Sequence, residues 1–359
     1  MIDFPFIVPP GGGVHTVHTG REYKEVLYLR MFQCDDKESF EKKWKRSFDE
    51  QKKIGLLGIA SDCGGGILRG ANWGPLFIRN EIYPKSLDSI NDLGDIHVIP
   101  HLLHDKYLND ETIQNCRQAL YGEQHNEYPV SPLSLTEYYC DQYYKKSPES
   151  YLIGLGGDHS VSYPLVKSWI KNQKELRSHF AVIHFDAHTD LMKSRLGIDL
   201  CFGSWAYHII EDLQDSKNLI QIGIRSSGKD RDHWETKLQM QQYWSHEVRE
   251  EGADQISDKI ISDLQSRNIE NLYISFDIDA LDLEYASATG TPEKNGLYPY
   301  ECVQIIENLG AKFKITGADL VEVAPFIKSP YKSKLSGEPE TTLGSARTIM
   351  DAFIRVMNA

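Results

Sequence analysis

From Lys53 onward, short apolar runs rich in β-branched residues alternate with longer stretches whose apolar and charged positions recur at helical spacing. Runs that are apolar on both faces belong to strands of a sheet covered on both sides, and the amphipathic stretches between them suit helices laid against it. Strands are therefore expected at 54–60, 151–155, 180–185, 219–224, 272–276 and 315–323. Their alternation with helices predicts an α/β fold with a mainly parallel sheet. Residues 101–132 read as an irregular loop holding one helix. Residues 1–52 break the pattern: Pro9, Pro10 and three glycines open a loop, and Phe40, Trp44 and Phe48 fall at helical spacing in a charge-dense stretch. This segment is expected as an N-terminal extension, packed on or beside a main domain spanning 53–359.

Several of the expected strands end in polar residues that a closed core would not tolerate. These are Gly156-Gly157-Asp158-His159-Ser160, Asp186-Ala187-His188-Thr189-Asp190, Asp277-Ile278-Asp279 and Glu322. In an open α/β sheet, ligands bind in the crevice at the carboxyl ends of the strands, so these groups are expected to converge. If the strand continues through His188, the period of two puts Asp186 and His188 on one side. Asp190 would then lie about 13 Å from Asp186, at roughly 3.3 Å per residue, unless a turn brings it back. The same alternation puts Asp277 and Asp279 on one face. Carboxylates so close repel strongly, and a divalent cation between them relieves the repulsion.

Four aspartates and two imidazoles are too oxygen-rich a set for one structural zinc. A pair of Mn²⁺-type ions bridged by carboxylates suits them better. Taken singly, each motif has a plainer reading. The Asp-x-His-x-Asp run could be a loop or cap pattern, Asp277 a helix cap, and the paired glycines a tight turn. Their coincidence at the ends of three separate strands carries the argument. His184, inside a strand, either lines the site or is a satisfied core residue, the commoner case. His15 and His18 are expected in a solvent-exposed loop.

The remaining composition narrows the function. With 359 residues, 40% hydrophobic and 11% aromatic, the chain can bury a large core in one domain or two. A net charge of −13 disfavours phosphate backbones and anionic membranes as partners, unless a local basic patch overrides it. It suits a neutral or cationic small substrate. Residues 1–10 have no basic residue ahead of their apolar stretch, and no segment has the apolar length of a bilayer span, so a cytoplasmic protein is expected. The six cysteines are scattered without a Cys-x-x-Cys pair and are expected as reduced, mostly buried thiols.

The motifs as they stand resemble the ureohydrolase family, which includes arginases, agmatinases and other guanidino hydrolases. The segments that carry the resemblance begin with the two glycine- and aspartate-rich motifs above. They continue, in family order, with Ser275-Phe276-Asp277-Ile278-Asp279-Ala280-Leu281-Asp282, Ala288-Thr289-Gly290-Thr291-Pro292 and Val321-Glu322-Val323-Ala324-Pro325. Leu68-Arg69-Gly70-Ala71-Asn72-Trp73-Gly74-Pro75 is similar to the family's early loop. The likeness covers 54–359 and leaves 1–52 unexplained.

The resemblance implies a three-layer α/β/α domain, two Mn²⁺ ions with Ni²⁺ as an alternative, and a homo-oligomer, trimeric or hexameric. It implies that His159, Asp186, Asp190 and Asp277 bind one ion. His188, Asp186, Asp277 and Asp279 would bind the other, with Asp186 and Asp277 bridging. The implied chemistry is attack of activated water on the guanidinium carbon of a small guanidino compound, with urea released. Asp190 would relay the proton to the leaving amine, and Glu322 would orient the guanidinium.

Two departures bear on the substrate. Met192 stands where arginases carry an asparagine that reads the α-amino acid head, which argues against arginine. Phe202 aligns with a family histidine that assists proton transfer. Two other readings are a metal-dependent amide deacetylase of the same fold, typically with one zinc, and a non-catalytic relative that keeps the ions.

Overall fold

The structure is a computed structural model describing residues 4–13, 20–50, 52–66, 68–123, 126–328 and 339–359. His15 and His18 lie outside the described residues. The strands, in chain order, are β1 Ile7–Val8, β2 Ile54–Ile59, β3 Ile90–Ile96, β4 Tyr151–Gly156, β5 Phe180–Phe185, β6 Leu219–Ile224, β7 Gln241–Trp244, β8 Asn271–Asp277 and β9 Lys314–Val321. They form one nine-stranded sheet in the order β1-β3-β2-β4-β9-β8-β5-β6-β7. Every neighbouring pair is parallel except β1 with β3.

Successive strand residues feed opposite faces. Ile153, Ile183 and Phe185 pack with helices Gly74–Ile82, Ala253–Ser266, Pro299–Gly310 and Pro339–Asn358. Leu152, Phe180 and Val182 pack with helices Pro132–Lys146 and Ser162–Glu175. That period of two, with both faces covered, makes the three-layer α/β/α architecture and explains the continuous apolar runs. Among the described residues, no helix is long and apolar enough to cross a membrane. All six cysteines are free thiols, and Cys34, Cys140, Cys201 and Cys302 are buried.

All six expected strands are present, two with the ends expected and four with ends shifted by one or two residues, and three strands were not expected. β3 reads Ile-Asn-Asp-Leu-Gly-Asp-Ile, so its two acids hide it from an apolar pattern. Both acids are fully buried and answered by Arg79 from the helix Gly74–Ile82. Arg79 Nε and Nη2 donate to Asp92 at 2.8 and 2.9 Å, and Nη1 donates to Asp95 at 2.5 Å. Tyr83 Oη donates to Asp92 at 2.7 Å and Gly13 N to Asp95 at 2.9 Å. Burial would lower the Arg79 pKa, but Asp92 and Asp95 hold it above its ordinary value. β7, with two glutamines, is likewise too polar to read as a run.

The described residues before Lys53 are tied into this edge. β1 adds antiparallel to β3, Phe6 is buried, and Trp44 Nε1 donates to the Asp92 carbonyl at 2.7 Å.

Removing one partner of a fully buried, hydrogen-bonded ion cluster costs about 3–5 kcal/mol, because the other charges stay behind. Arg79→Met is accordingly expected to lower the urea midpoint of unfolding by that equivalent. An unchanged midpoint would show that Asp92 and Asp95 do not depend on it.

Candidate metal centre

The sheet order sets the four motif-bearing strands side by side, as β4-β9-β8-β5. Their parallel carboxyl ends open on the same crevice. His159 follows β4 in the short turn His159–Val161, Asp186 follows β5, Asp277 closes β8 and Glu322 follows β9. β5 ends at Phe185, where it was expected to end, so residues 186–190 are loop and do not continue the strand through His188. That loop turns back at Asp190, whose φ of 51° lies in the left-handed region. Glu322 turns the next loop in the same way, with φ of 63°.

Backbone contacts lock the loops together. Asp158 N donates to the Ser61 carbonyl at 3.0 Å, and Glu322 N donates to the Gly157 carbonyl at 2.8 Å. Gly157 can carry no side chain, since a Cβ would fall 1.6 Å from the Ser61 carbonyl oxygen. Asp158 is spent on the loops, accepting from Ser160 N at 2.9 Å and Gly64 N at 3.1 Å, and burial pushes its carboxyl up to about 6.

The remaining acids and imidazoles fall into two clusters that share Asp186. In the first, His159 Nδ1 lies 3.2 Å from Asp186 Oδ2, 3.1 Å from Asp190 Oδ2 and 3.1 Å from Asp277 Oδ2. In the second, His188 Nδ1 lies 3.4 Å from Asp186 Oδ1 and 3.2 Å from Asp279 Oδ2. His159, Asp186, Asp190, Asp277 and Asp279 are buried, and His188 is half-buried at the mouth. Glu322 belongs to neither cluster. Its Oε1 accepts from His159 N at 2.9 Å, and its Oε2 faces Gly290, where a Cβ would approach to 3.2 Å.

So much negative charge in one dry place distorts every group in it. Burial, then the neighbouring acids, raises the Asp277 carboxyl well above its usual range, and Asp190 and Glu322 are raised for the same reasons. Burial would raise Asp186 too, but the imidazoles of His159, His184 and His188 hold it well below the ordinary range. Burial would lower His159, yet Asp186, Asp190 and Asp277 keep it well above its ordinary value. The cluster thus calls for positive charge at His159 Nδ1. That nitrogen is buried and has no hydrogen-bond partner, although three carboxylate oxygens face it. On its other side, Nε2 is 3.0 Å from Ser275 Oγ, which donates its proton to Asp319 Oδ1 at 2.8 Å. Four acceptors aimed at one point, without hydrogen-bond geometry, fit a divalent cation.

The structure brings together all seven residues singled out from the sequence, and it adds partners that were not singled out there. Trp205 Nε1 donates to Asp190 Oδ2 at 2.9 Å, and Thr291 Oγ1 donates to Asp279 Oδ2 at 2.8 Å. The Arg225 guanidinium gathers the carbonyls of Asp279, Ala280 and Leu281, fixing the loop that carries Asp279. Of these, Thr291 lay inside a recognised motif; Trp205 and Arg225 act across the fold and left no local signal. His184 is fully buried and also lies against the site, with Nε2 2.8 Å from Asp186 Oδ2. His208 faces the Lys193 carbonyl at 3.0 Å, and Phe202 packs beneath the Arg195 guanidinium at 5.2 Å. Arg195 and Phe202 border a cleft of about 520 Å³ together with Arg69, His104 and Tyr107.

Comparison with known proteins shows the family and the fold. The sequence profile of the arginase family matches residues 52–351. The chain belongs to the arginase family, hydrolases that act on amidino C–N bonds. It is 30% identical over 286 residues to the human mitochondrial guanidino acid hydrolase, covering 75% of this chain and 71% of that protein. It is 36% identical over 190 residues to chicken mitochondrial agmatinase, a match that spans 51% of this chain and about half, 52%, of the relative. In fold it is similar to proclavaminate amidino hydrolase from Streptomyces clavuligerus, with a TM-score of 0.64 and 22% identity over 86% of this chain and 92% of that one. Bacillus subtilis arginase gives the same TM-score of 0.64, at 20% identity over 86% of this chain and 99% of that one.

Gly157→Ala is expected to force the Ser61 and Asp158 loops apart, at a cost of about 1–3 kcal/mol or more for overpacking. A thermal melt reads the loss, and a midpoint equal to that of the unaltered protein would contradict the close approach.

Proposed function

We propose that the chain hydrolyses a small guanidino compound and releases urea, using two divalent ions held by the two clusters. The observation that carries this reading is the buried, unpartnered His159 Nδ1 faced by three carboxylates. His159, Asp186, Asp190 and Asp277 would hold one ion, and His188, Asp186, Asp277 and Asp279 the other. Carboxylate oxygens with some imidazole suit Mn²⁺, with Ni²⁺ as the alternative. Such ions, when bound, supply positive charge for the transition state and make water a nucleophile near neutral pH.

The chain's own residues supply the rest. Asp190, held by the Trp205 indole, is placed to take the proton from the attacking water and pass it to the leaving amine. Glu322 keeps Oε1 on the His159 amide and presents Oε2 over the bare face of Gly290, where a guanidinium N–H can donate to it. That bond sets the angle at which the flat guanidinium carbon meets the nucleophile. Arg69 and Arg195 beside the cleft give a carboxylate tail a partner that an ammonium tail would lack, so a guanidino acid fits better than agmatine. The names of the human and chicken relatives, guanidino acid hydrolase and agmatinase, share only the broader class of small guanidino compounds. A homo-oligomer, trimeric or hexameric, completes the reading by family likeness, and the cytoplasm is the location expected from the sequence.

Two measurements test it. Urea release is assayed across guanidino acids, agmatine and guanidine after Mn²⁺ or Ni²⁺ loading, with bound metal counted by mass spectrometry. Two ions per chain and turnover of at least one compound are expected. Silence across the panel with two ions bound would sink the reading, and one tightly held ion would favour an amide deacetylase instead. Asp277→Asn should cut the metal content below two. Glu322→Gln should keep both ions and lose roughly 10²–10³-fold in kcat/KM, the equivalent of about 3–4 kcal/mol, inside the range of about 2–5 kcal/mol for one side of a buried charged hydrogen bond.

A further inference from the structure

Beneath the crevice, a row of polar side chains crosses the apolar sheet. Cross-strand register sets Gln221 of β6 beside His184 of β5, and Gln242 of β7 beside Gln221. All three are fully buried. They are linked end to end: Trp244 Nε1 donates to Gln242 Oε1 at 3.1 Å, Gln242 Nε2 to Gln221 Oε1 at 2.7 Å, and Gln221 Nε2 lies 2.9 Å from His184 Nδ1. The row ends at Asp186 Oδ2, 2.8 Å from His184 Nε2.

The chemistry of the two ends leaves the row one polarity. An indole nitrogen only donates, so Gln242 must turn its carbonyl to Trp244 and its amide nitrogen to Gln221. Gln221 then receives on its carbonyl and presents its amide nitrogen to His184. A second contact requires the same orientation, because that nitrogen also donates to the Thr189 carbonyl at 2.6 Å. His184 Nδ1 is therefore met by an N–H and must accept. A ring that accepts at Nδ1 carries its proton on Nε2, where Asp186 waits.

We propose that the Trp244–Gln242–Gln221 row fixes His184 as the Nε2–H tautomer, making it a positioning residue that donates to Asp186. His184 lies close enough to His159, Asp186 and Asp190 to share an ion with them. With Nε2 protonated and Nδ1 turned toward Gln221, it offers no lone pair and is not a ligand. Its bond instead pins one oxygen of the carboxylate that joins the two clusters, as outer partners orient metal ligands generally. The Asp186 part of this inference rests on the function proposed above; the tautomer does not.

Neutron diffraction from a deuterated crystal of the unaltered protein reads the tautomer directly and needs no variant. A deuteron on His184 Nε2 and none on Nδ1 is expected, and a deuteron on Nδ1 overturns the proposal. Gln221→Glu, nearly the same in shape, replaces the donor at Nδ1 with an acceptor. It should place a deuteron on Nδ1 and weaken Mn²⁺ binding about 10–100-fold. Gln221→Met, which only removes the partner, should weaken Mn²⁺ as well. If both variants melt lower but hold Mn²⁺ as tightly as the parent, the row is merely structural and the positioning role is wrong. If the parent itself binds no Mn²⁺, the metal reading fails, while the deuteron still decides the tautomer.

Discussion

Acidic side chains buried together at the carboxyl ends of adjacent strands are the constraint around which the rest of this molecule is arranged. Asp186, Asp190, Asp277, Asp279 and Glu322 are all buried, and no lysine or arginine side chain forms an ion pair with any of them among the described residues. Without a rigid frame such groups would swing toward water. They stay because each loop is held by its neighbour: Glu322 N on Gly157, Asp158 N on Ser61, Asp186 N on Ile222 and Ala187 N on Asp279. Repulsion stored in that way is released only by positive charge.

The contrast with the cluster around Arg79 shows two answers to one problem. At β3 the chain supplies its own cation, a guanidinium with bonds to both acids, and the result is a sealed structural joint. At the crevice it supplies only imidazoles and oxygens, which suit a cation from outside and leave room for exchange of water and substrate. The first arrangement spends its charge on stability, and the second keeps it available for chemistry.

Much of this could be read from the sequence, for a reason visible in particular residues. β5 and β6 are apolar apart from His184 and Gln221, and their ends coincide with those expected. Asp186, His188 and Asp190 were legible because they crowd into five positions behind such a run. β3 and β7 were not, since Asp92, Asp95, Gln241 and Gln242 interrupt the apolar signal, and their neutralising partners lie elsewhere in the chain. The role of His184 escaped for a similar reason. Gln221, which meets it, and Gln242 behind Gln221 are 37 and 58 positions away and are brought there only through strand register. Residues before Lys53 were expected to pack on or beside the main domain, and what their sparse apolar pattern did not show is that Phe6, Phe40 and Trp44 are buried in the cores that flank the sheet.

The order of the strands has one more consequence. Those that carry the crevice occupy the middle of the sheet, flanked by three on one side, ending at β1, and by two on the other, ending at β7. The two margins are therefore not equivalent: β1 lies three strands away from the crevice, whereas β6 and β7 reach it through Ile222, Gln221 and Gln242. Such a layout gathers the chemistry onto four adjacent strands, although its residues are spread from His159 to Glu322 along the chain.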